Sequence, residues 1–177
     1  MWHAEFKLML YPVRSCDRSV HYQQLLKEVK IIGDKLGKNR FSVGDEFLSQ
    51  FTFMGCSPDI ELEPQCDGTP FCYIEIEEQD ESQFVSGSNL KKAKCTHCKS
   101  TLSAPITSSQ CPFCSNTLEL TKINWRKTAF VAKNWITIGN IYELEAIPND
   151  RLLDTLETKT GVKWKSAYIR NETKISL

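Results

Sequence analysis

The stretch KCTHCKSTLSAPITSSQCPFCSN, residues 94–116, holds four of the chain's eight cysteines. They form two C-x-x-C pairs with twelve residues between the pairs: Cys95, Cys98, Cys111 and Cys114. Each pair can bring two sulfurs from one tight turn to a single ion, and two such turns complete a tetrahedron of thiolates. The spacing therefore predicts one four-coordinate site, and a structural Zn²⁺ is the ion that best suits it.

The residues around these cysteines are too polar to fold by burial alone. The large apolar side chains of this segment are few: Leu102, Ile106, Phe113 and Leu118. Chains below roughly 40 residues usually need a cross-link or a metal to fold. Structural zinc supplies apparent binding energies of about 10–16 kcal/mol, so we expect the metal to hold this segment together.

At these residues, over about 93–120, the chain resembles the zinc-ribbon family. The second pair, CPFC, has the C-P-x-C form of that family's cysteine knuckles, and the first pair, CTHC, matches it less closely. Lys99 and Ser115 stand where the family commonly has a glycine. Asn116 is one place later and tolerates a left-handed conformation, so the turn remains feasible. The gap between the pairs is shorter than the roughly 15–20 residues of the usual pattern. The resemblance implies two knuckles at the ends of compact β-hairpins around one zinc.

Other chemistry for these four thiols remains as an alternative. Four thiolates close the coordination shell, so a catalytic zinc is not favoured. His97 lies inside the first pair, where its side chain is expected to point outward and not to replace a ligand. Iron accepts the same four sulfurs, so a rubredoxin-like, iron-binding redox carrier is one alternative function.

The remaining cysteines give weaker signals. Cys72 alternates with polar residues in a predicted strand, which indicates an inert core position. Cys56 follows a turn glycine, and an enzyme that uses Cys56 of the main domain as its thiol is the other alternative. Cys16 and Cys66 lie in predicted loops, and a second metal site from Cys56, Cys66 and one further ligand stays open.

The formal net charge is zero, but the charge is unevenly distributed. Residues 91–133 carry eight Lys or Arg against one acidic residue, Glu119, whereas residues 59–81 carry nine carboxylates and no Lys or Arg. Cations interleaved with aromatic rings suit phosphate and base contacts. The predicted partner-binding residues are therefore Lys91, Lys92, Lys94, Lys99, Phe113, Lys122, Trp125, Arg126 and Lys127. A nucleic acid and an acidic protein surface both fit as the partner, and the acidic stretch of this chain is the internal alternative.

Apolar periodicity predicts an α+β main domain. Alternating residues predict strands at 6–10, 47–54, 71–77, 134–147 and 162–169. Apolar steps of three and four predict one helix capped by Ser19 and ended by Gly37, and another capped by Asn149 and ended by Gly161. This order is typical of an antiparallel or mixed sheet with two helices, of which the ferredoxin-like βαββαβ fold is one form.

The cysteine segment interrupts this main domain. Residues 77–94 are polar and carry glycine and serine, which predicts a linker. We therefore divide the chain into a first part of the main domain at 1–88, a zinc-ribbon insertion at 89–122 and a second part of the main domain at 123–177.

The chain lacks the motifs of common enzymes. It has three histidines, no G-x-S-x-G and no phosphate-binding glycine loop. No stretch approaches the roughly 20 apolar residues of a membrane span, and its first residues lack the pattern of a secretory signal. The sequence thus predicts a non-catalytic, cytoplasmic zinc-ribbon protein that binds or assembles with a macromolecule, with no membrane contact and no small-molecule substrate.

Overall fold

A computed structural model describes residues 5–16, 20–54, 60–102 and 110–176. Within these ranges the helices and strands follow in this order: β1 Phe6–Pro12, α1 Tyr22–Glu28, β2 Ile32–Lys35, β3 Arg40–Val43, β4 Phe51–Phe53, β5 Tyr73–Ser86, β6 Ala93–Lys94, β7 Thr101–Leu102, β8 Ala129–Gly139, β9 Ala146–Pro148, α2 Asp150–Thr160, β10 Trp164–Arg170 and β11 Thr173–Ser176. Short 3₁₀ helices lie at Leu48–Gln50 and Leu120–Lys122.

Seven of these strands form one antiparallel sheet. Its order is β10-β1-β8-β5-β3-β2, and β11 pairs with the far end of β5. The strands β4 and β9 form a second, two-stranded sheet, and β6 pairs with β7. The protein is therefore an α+β protein with a mainly antiparallel sheet and two helices. Among the residues described, no helix has the length and apolarity that a membrane crossing requires.

The first predicted helix is much shorter than its apolar pattern. It begins at Tyr22 and ends at Glu28, and residues 32–35 form strand β2. Lys30 adopts a positive φ of 54°, which ends the helix. At Gly33 a Cβ would lie 2.6 Å from the Ser42 hydroxyl oxygen, so the glycine allows close packing of β2 on β3. The predicted cap, Ser19, lies outside the described residues.

The second predicted helix and the last predicted strand are confirmed. The Asn149 side chain accepts a hydrogen bond from the Leu152 N–H at 2.9 Å, which caps α2. Gly161 ends the helix in a left-handed conformation, with φ 73°. Strand β10 then buries Trp164 and Tyr168 on the helix side of the sheet.

The predicted linker at 77–94 is wrong in its first half, because β5 continues to Ser86. Strand β5 pairs with β8 from Tyr73 to Ser86, with a register shift between Glu78 and Gln83. The polar residues around the shift look like a linker in the sequence, but Phe84 and Val85 beyond it are buried. Polarity in this stretch therefore marks an irregular, solvent-facing part of one long strand.

The long β5–β8 hairpin contributes to three hydrophobic cores. Near its open end it packs against both helices, in a helix core that includes Ile74, Ile136, Leu26 and Leu152. Near its closed end, on the opposite face, it forms an outer core with β1 and β10: Met9, Val85, Phe130, Ala132, Trp135, Ala167 and Ile169. Its tip carries residues 87–128, here called the cysteine module, which has a core of its own.

Candidate metal centre

The first C-x-x-C pair lies in the turn between β6 and β7. Lys94 and Thr101 are cross-strand partners on either side of this turn. The Cys95 N–H donates to the Ser100 carbonyl at 2.9 Å, and the Lys99 N–H donates to the Cys95 carbonyl at 3.2 Å. These bonds fold the turn tightly, so the sulfurs of Cys95 and Cys98 point to the same place.

The second pair repeats this arrangement. Gln110 and Thr117 form an antiparallel bridge outside the turn. The Cys111 N–H donates to the Asn116 carbonyl at 2.9 Å, and the Ser115 N–H donates to the Cys111 carbonyl at 2.9 Å. Each of these bonds joins positions equivalent to those in the first turn, so two copies of one local structure face each other.

Both turns require a left-handed residue directly after the second cysteine. Lys99 has φ 63° and Ser115 has φ 57°, although neither is a glycine. In the second turn the left-handed residue is therefore Ser115 itself, and the tolerance of Asn116 for this conformation is not used. The hydrogen bonding of the turn determines which residue is left-handed. The residue whose N–H donates to the carbonyl of the first cysteine must adopt that conformation.

The four cysteine sulfurs converge on one point. All four lie within 4.8 Å of one another, with 3.9 Å between those of Cys95 and Cys114 and 3.8 Å between those of Cys98 and Cys111. A tetrahedron with metal–sulfur bonds of about 2.3 Å has sulfurs about 3.8 Å apart. The predicted ligands are thus placed as a four-coordinate metal site needs them.

The surroundings of the sulfurs favour thiolates on the outer side of the cluster. Hydrogen bonds from the Ser100 side chain and backbone lower the pKa of Cys98 to about 6. Hydrogen bonding from the Asn116 backbone lowers the pKa of Cys114. Burial raises the pKa of Cys111 to about 11. A bound cation would supply the opposite charge that a thiolate at this buried position lacks.

The inner side of the cluster joins the core of the cysteine module. Cys95 and Cys111 are buried together with Leu102, Leu118 and other apolar residues. The Trp125 ring closes this core against Phe84 of β5, with 5.0 Å between ring centroids, and its indole N–H donates to the Leu120 carbonyl at 2.9 Å. The four-cysteine cluster is therefore packed onto the tip of the β5–β8 hairpin.

The structure distributes the predicted partner-binding residues unevenly. Phe113 is 64% exposed at the second turn. Trp125 is only 6% exposed, so its ring belongs to the module core and has no open face for a partner. The cations of the set are all exposed: Lys91, Lys92, Lys94, Lys99, Lys122, Arg126 and Lys127.

The carboxylates of the acidic stretch pair with cations of the main sheet. Glu75 lies 3.4 Å from Arg40, and Glu77 lies 3.1 Å from Lys174. Within the described ranges, no ion pair joins this stretch to the lysines at 91–99. These contacts give no support to the internal alternative for the basic residues.

The cysteines outside the cluster lie apart from it. The Cys16 thiol donates to the Thr160 carbonyl at 3.0 Å. Cys72 is fully buried, and burial raises its pKa to about 12, as suits an inert core residue. Cys66 is exposed. Cys56, the predicted thiol of the enzyme alternative, lies outside the described residues.

A cleft that the sequence analysis missed lies beside the cysteine module. It has a volume of about 650 Å³ and brings residues 120–127 together with the end of β1, the start of β8 and residues 163–166. Its lining contains five cations: Lys122, Arg126, Lys127, Lys163 and Lys165. Lys163 and Lys165 are far from the module in sequence. The sequence indicates them only through their alternation with apolar residues in the last predicted strand, at 162–169.

Comparison of the chain with protein-family models, with curated proteins and with solved structures gives no match.

Proposed function

We propose that this chain is a non-catalytic zinc-ribbon protein that binds or assembles with a macromolecular partner. The convergence of the four cysteine sulfurs within 4.8 Å of one another carries this proposal. Zn²⁺ suits four thiolates, and a shell closed by protein ligands leaves no position for substrate. In this proposal the ion has a structural role, and the exposed cations of the module provide the binding surface.

The proposal includes a specific architecture. Strands β10, β1, β8 and β5 lie in the order that a ferredoxin-like βαββαβ sheet would have, and both helices contribute to the helix core on one face. The hairpin β2–β3 would extend that sheet beyond β5. The zinc ribbon, residues 89–122, would be an insertion between the parts 1–88 and 123–177. The direct pairing of Ser86 with Ala129 supports an insertion at this point.

The proposed location is the cytoplasm. Thiols remain reduced there, and reduced cysteines are what a metal cluster requires. The proposed partner is a nucleic acid or an acidic protein surface, because the exposed cations around the cluster are largely unpaired within the described part of the chain. Lys122 is the exception, with Glu119 at 2.6 Å.

Metal analysis of the purified protein tests this proposal. We expect about one zinc ion per chain, and Cys98→Ser should weaken zinc affinity at least about tenfold in competition with a colorimetric chelator. Cys66→Ser is the matched control, because Cys66 is also exposed but lies outside the cluster. Protein that contains no metal and takes up none would contradict the proposal.

The same experiment distinguishes the alternatives. A rubredoxin-like carrier would contain iron at the four sulfurs and show its visible absorption, and Cys98→Ser would remove the colour. An enzyme that depends on Cys56 would lose activity on Cys56→Ser while its metal content stayed unchanged. We expect neither result, since a closed zinc–thiolate shell is colourless and unreactive toward substrate.

A further inference from the structure

The cleft beside the cysteine module, here called the basic groove, has cations from two segments of the chain. Lys122, Arg126 and Lys127 belong to the module, and Lys163 and Lys165 lie at the start of β10. Among the residues that the structure describes, the lining contains no carboxylate. Within the described residues, Lys122 is the only one of the five cations with an ion-pair partner. The groove is thus a concentrated positive surface with little internal neutralisation.

A strained turn holds two of these cations in place. Arg126 has φ 53° and Lys127 has φ 60°, and the Thr128 N–H donates to the Trp125 carbonyl at 3.1 Å. Two consecutive positive φ angles within such a bond are the signature of a type I′ turn, which strongly favours Asn-Gly. Two long cationic side chains therefore occupy positions where the backbone favours Asn and Gly.

Tertiary contacts fix this turn on the sheet. The Tyr168 N–H at the edge of β10 donates to the Lys127 carbonyl at 2.9 Å. The Thr128 hydroxyl donates to the Trp125 carbonyl at 2.6 Å and accepts from the Lys91 N–H at 3.1 Å. Backbone strain that the surroundings maintain is concentrated at functional sites in proteins. The strain in this turn therefore indicates a functional role for Arg126 and Lys127.

The floor of the groove is apolar and aromatic. The half-buried Tyr11 ring lies parallel to Phe130, with 4.3 Å between ring centroids and 6° between planes. Both rings line the groove together with Val13 and Ile123, but Phe130 is only 2% exposed, so Tyr11 is the ring of this pair that a ligand can reach. Cations together with an accessible aromatic ring fit a ligand that has flat rings joined by anionic groups.

We propose that the basic groove binds single-stranded nucleic acid, with phosphates at the cations and a base against the Tyr11 ring. This inference rests on the proposed function and names the partner of the same module. A single-stranded nucleic acid uses both an aromatic ring and cations, because its bases are free to stack while its phosphates attract positive charge. An acidic polypeptide would use the cations but would leave the Tyr11 ring without a matching group.

The test is fluorescence anisotropy of metal-loaded protein with a labelled single-stranded RNA or DNA of about 12 nucleotides. The wild type should bind, with an affinity that falls as salt rises. Replacing Arg126→Asn together with Lys127→Gly should lower the affinity about tenfold and reduce the slope of log K against log salt by about 1.4. The same variant should melt at the same or a higher temperature, because Asn-Gly suits the turn.

A second variant tests the two lysines at the start of β10, and a third variant is the matched control. Lys163→Gln with Lys165→Gln removes two exposed cations from a different element and should cause a similar loss of affinity. Lys30→Asn with Lys38→Asn also removes two exposed cations, one of them a left-handed residue, but neither lines the groove. The control should bind as the wild type does.

Several results would overturn this inference. One is that the protein does not bind the single strand at low salt, and another is that the control variant loses as much affinity as the groove variants. A third is that polyglutamate, or a duplex of the same length, binds at least as tightly as the single strand. Metal content measured on the same samples separates the two proposals. Protein that holds zinc but binds no single strand refutes the groove inference alone, whereas protein without metal refutes the proposed function.

Discussion

Ser115 and Lys99 hold the two cysteine turns in a backbone conformation that costs a residue with a side chain roughly 1–2 kcal/mol. Glycine would remove this cost but would lose more conformational entropy on folding. Ser115→Gly should therefore raise the free energy of unfolding by about 0.5–1 kcal/mol. Denaturant unfolding of the metal-loaded protein measures this change.

Ser115→Ala is the control for this substitution. Alanine removes the hydroxyl but keeps the Cβ that makes the left-handed conformation unfavourable, so no gain is expected. A comparable gain from both variants would show that the hydroxyl, and not the backbone angle, determines the effect.

At the scale of single residues, the four clustered cysteines are predictable from the sequence and the left-handed residues are not. The four cysteines are set by local spacing, which the chain carries without reference to the rest of the fold. The left-handed residue depends on which carbonyl its N–H reaches, whereas intrinsic preference alone would favour Asn116 over Ser115. Only the hydrogen bond from Ser115 to the Cys111 carbonyl decides between them.

At the scale of elements, the junction where β5 enters the cysteine module depends on a close backbone contact. A Cβ at Gly87 would lie 2.1 Å from the Arg170 carbonyl oxygen, and this backbone atom cannot easily move. The Ser88 N–H also donates to that carbonyl at 2.7 Å. Gly87→Ala should therefore lower the free energy of unfolding by about 1–3 kcal/mol, as overpacking does.

Gly37→Ala is the matched control for this junction. A Cβ at Gly37 would meet only the Arg40 Cβ, at an ordinary distance of 3.7 Å. Thermal unfolding should show a clear decrease in stability for the first variant and little change for the second. Equal melting temperatures for the two variants would mean that the junction can shift away from β10.

The elements also show where apolar periodicity is ambiguous. Leu25 and Leu26 belong to α1, but Ile32 continues the same steps of three and four inside a strand. A pattern read along the chain cannot place the helix end, because that end depends on the left-handed Lys30 and on the packing of Gly33 against β3. The helix α2 was predictable because Asn149 and Gly161 mark both of its ends locally.

At the scale of the whole molecule, the four-cysteine cluster and the main sheet are linked through one buried ring. Trp125 shares the module core with Cys95 and Cys111 and packs on Phe84 of β5. Removal of the metal should loosen this core, so the Trp125 indole should enter water and its fluorescence should shift to longer wavelength. Fluorescence during titration with a chelator measures this change.

Trp125→Phe is the control for the fluorescence change. Phenylalanine keeps an aromatic ring against Phe84 but removes the reporting indole. Trp135 and Trp164 lie in the other two cores, 1% and 2% exposed, and should keep their emission. An unchanged wild-type spectrum after confirmed loss of metal would show that the module core folds without it.

The basic groove illustrates which part of a site a sequence does not reveal. Its walls come from the end of β1, from residues 120–131 and from residues 163–166, and only the tertiary fold brings these together. The sequence indicates the basic residues that follow the second cysteine turn, because they belong to a charged segment. It does not indicate Lys163 and Lys165 as site residues, because alternation in a strand shows only that a lysine faces solvent.

The pairing of Ser86 with Ala129 means that the chain leaves the sheet and returns to it at neighbouring points. Strands β5 and β8 keep their register through their own pairing, so a change of length between these positions does not by itself shift that register. The segment also touches β10, because Gly87 lies close to Arg170 and the Lys127 carbonyl accepts from the Tyr168 N–H. Natural variants of this scaffold are therefore expected to differ in length inside the segment, away from these two contacts.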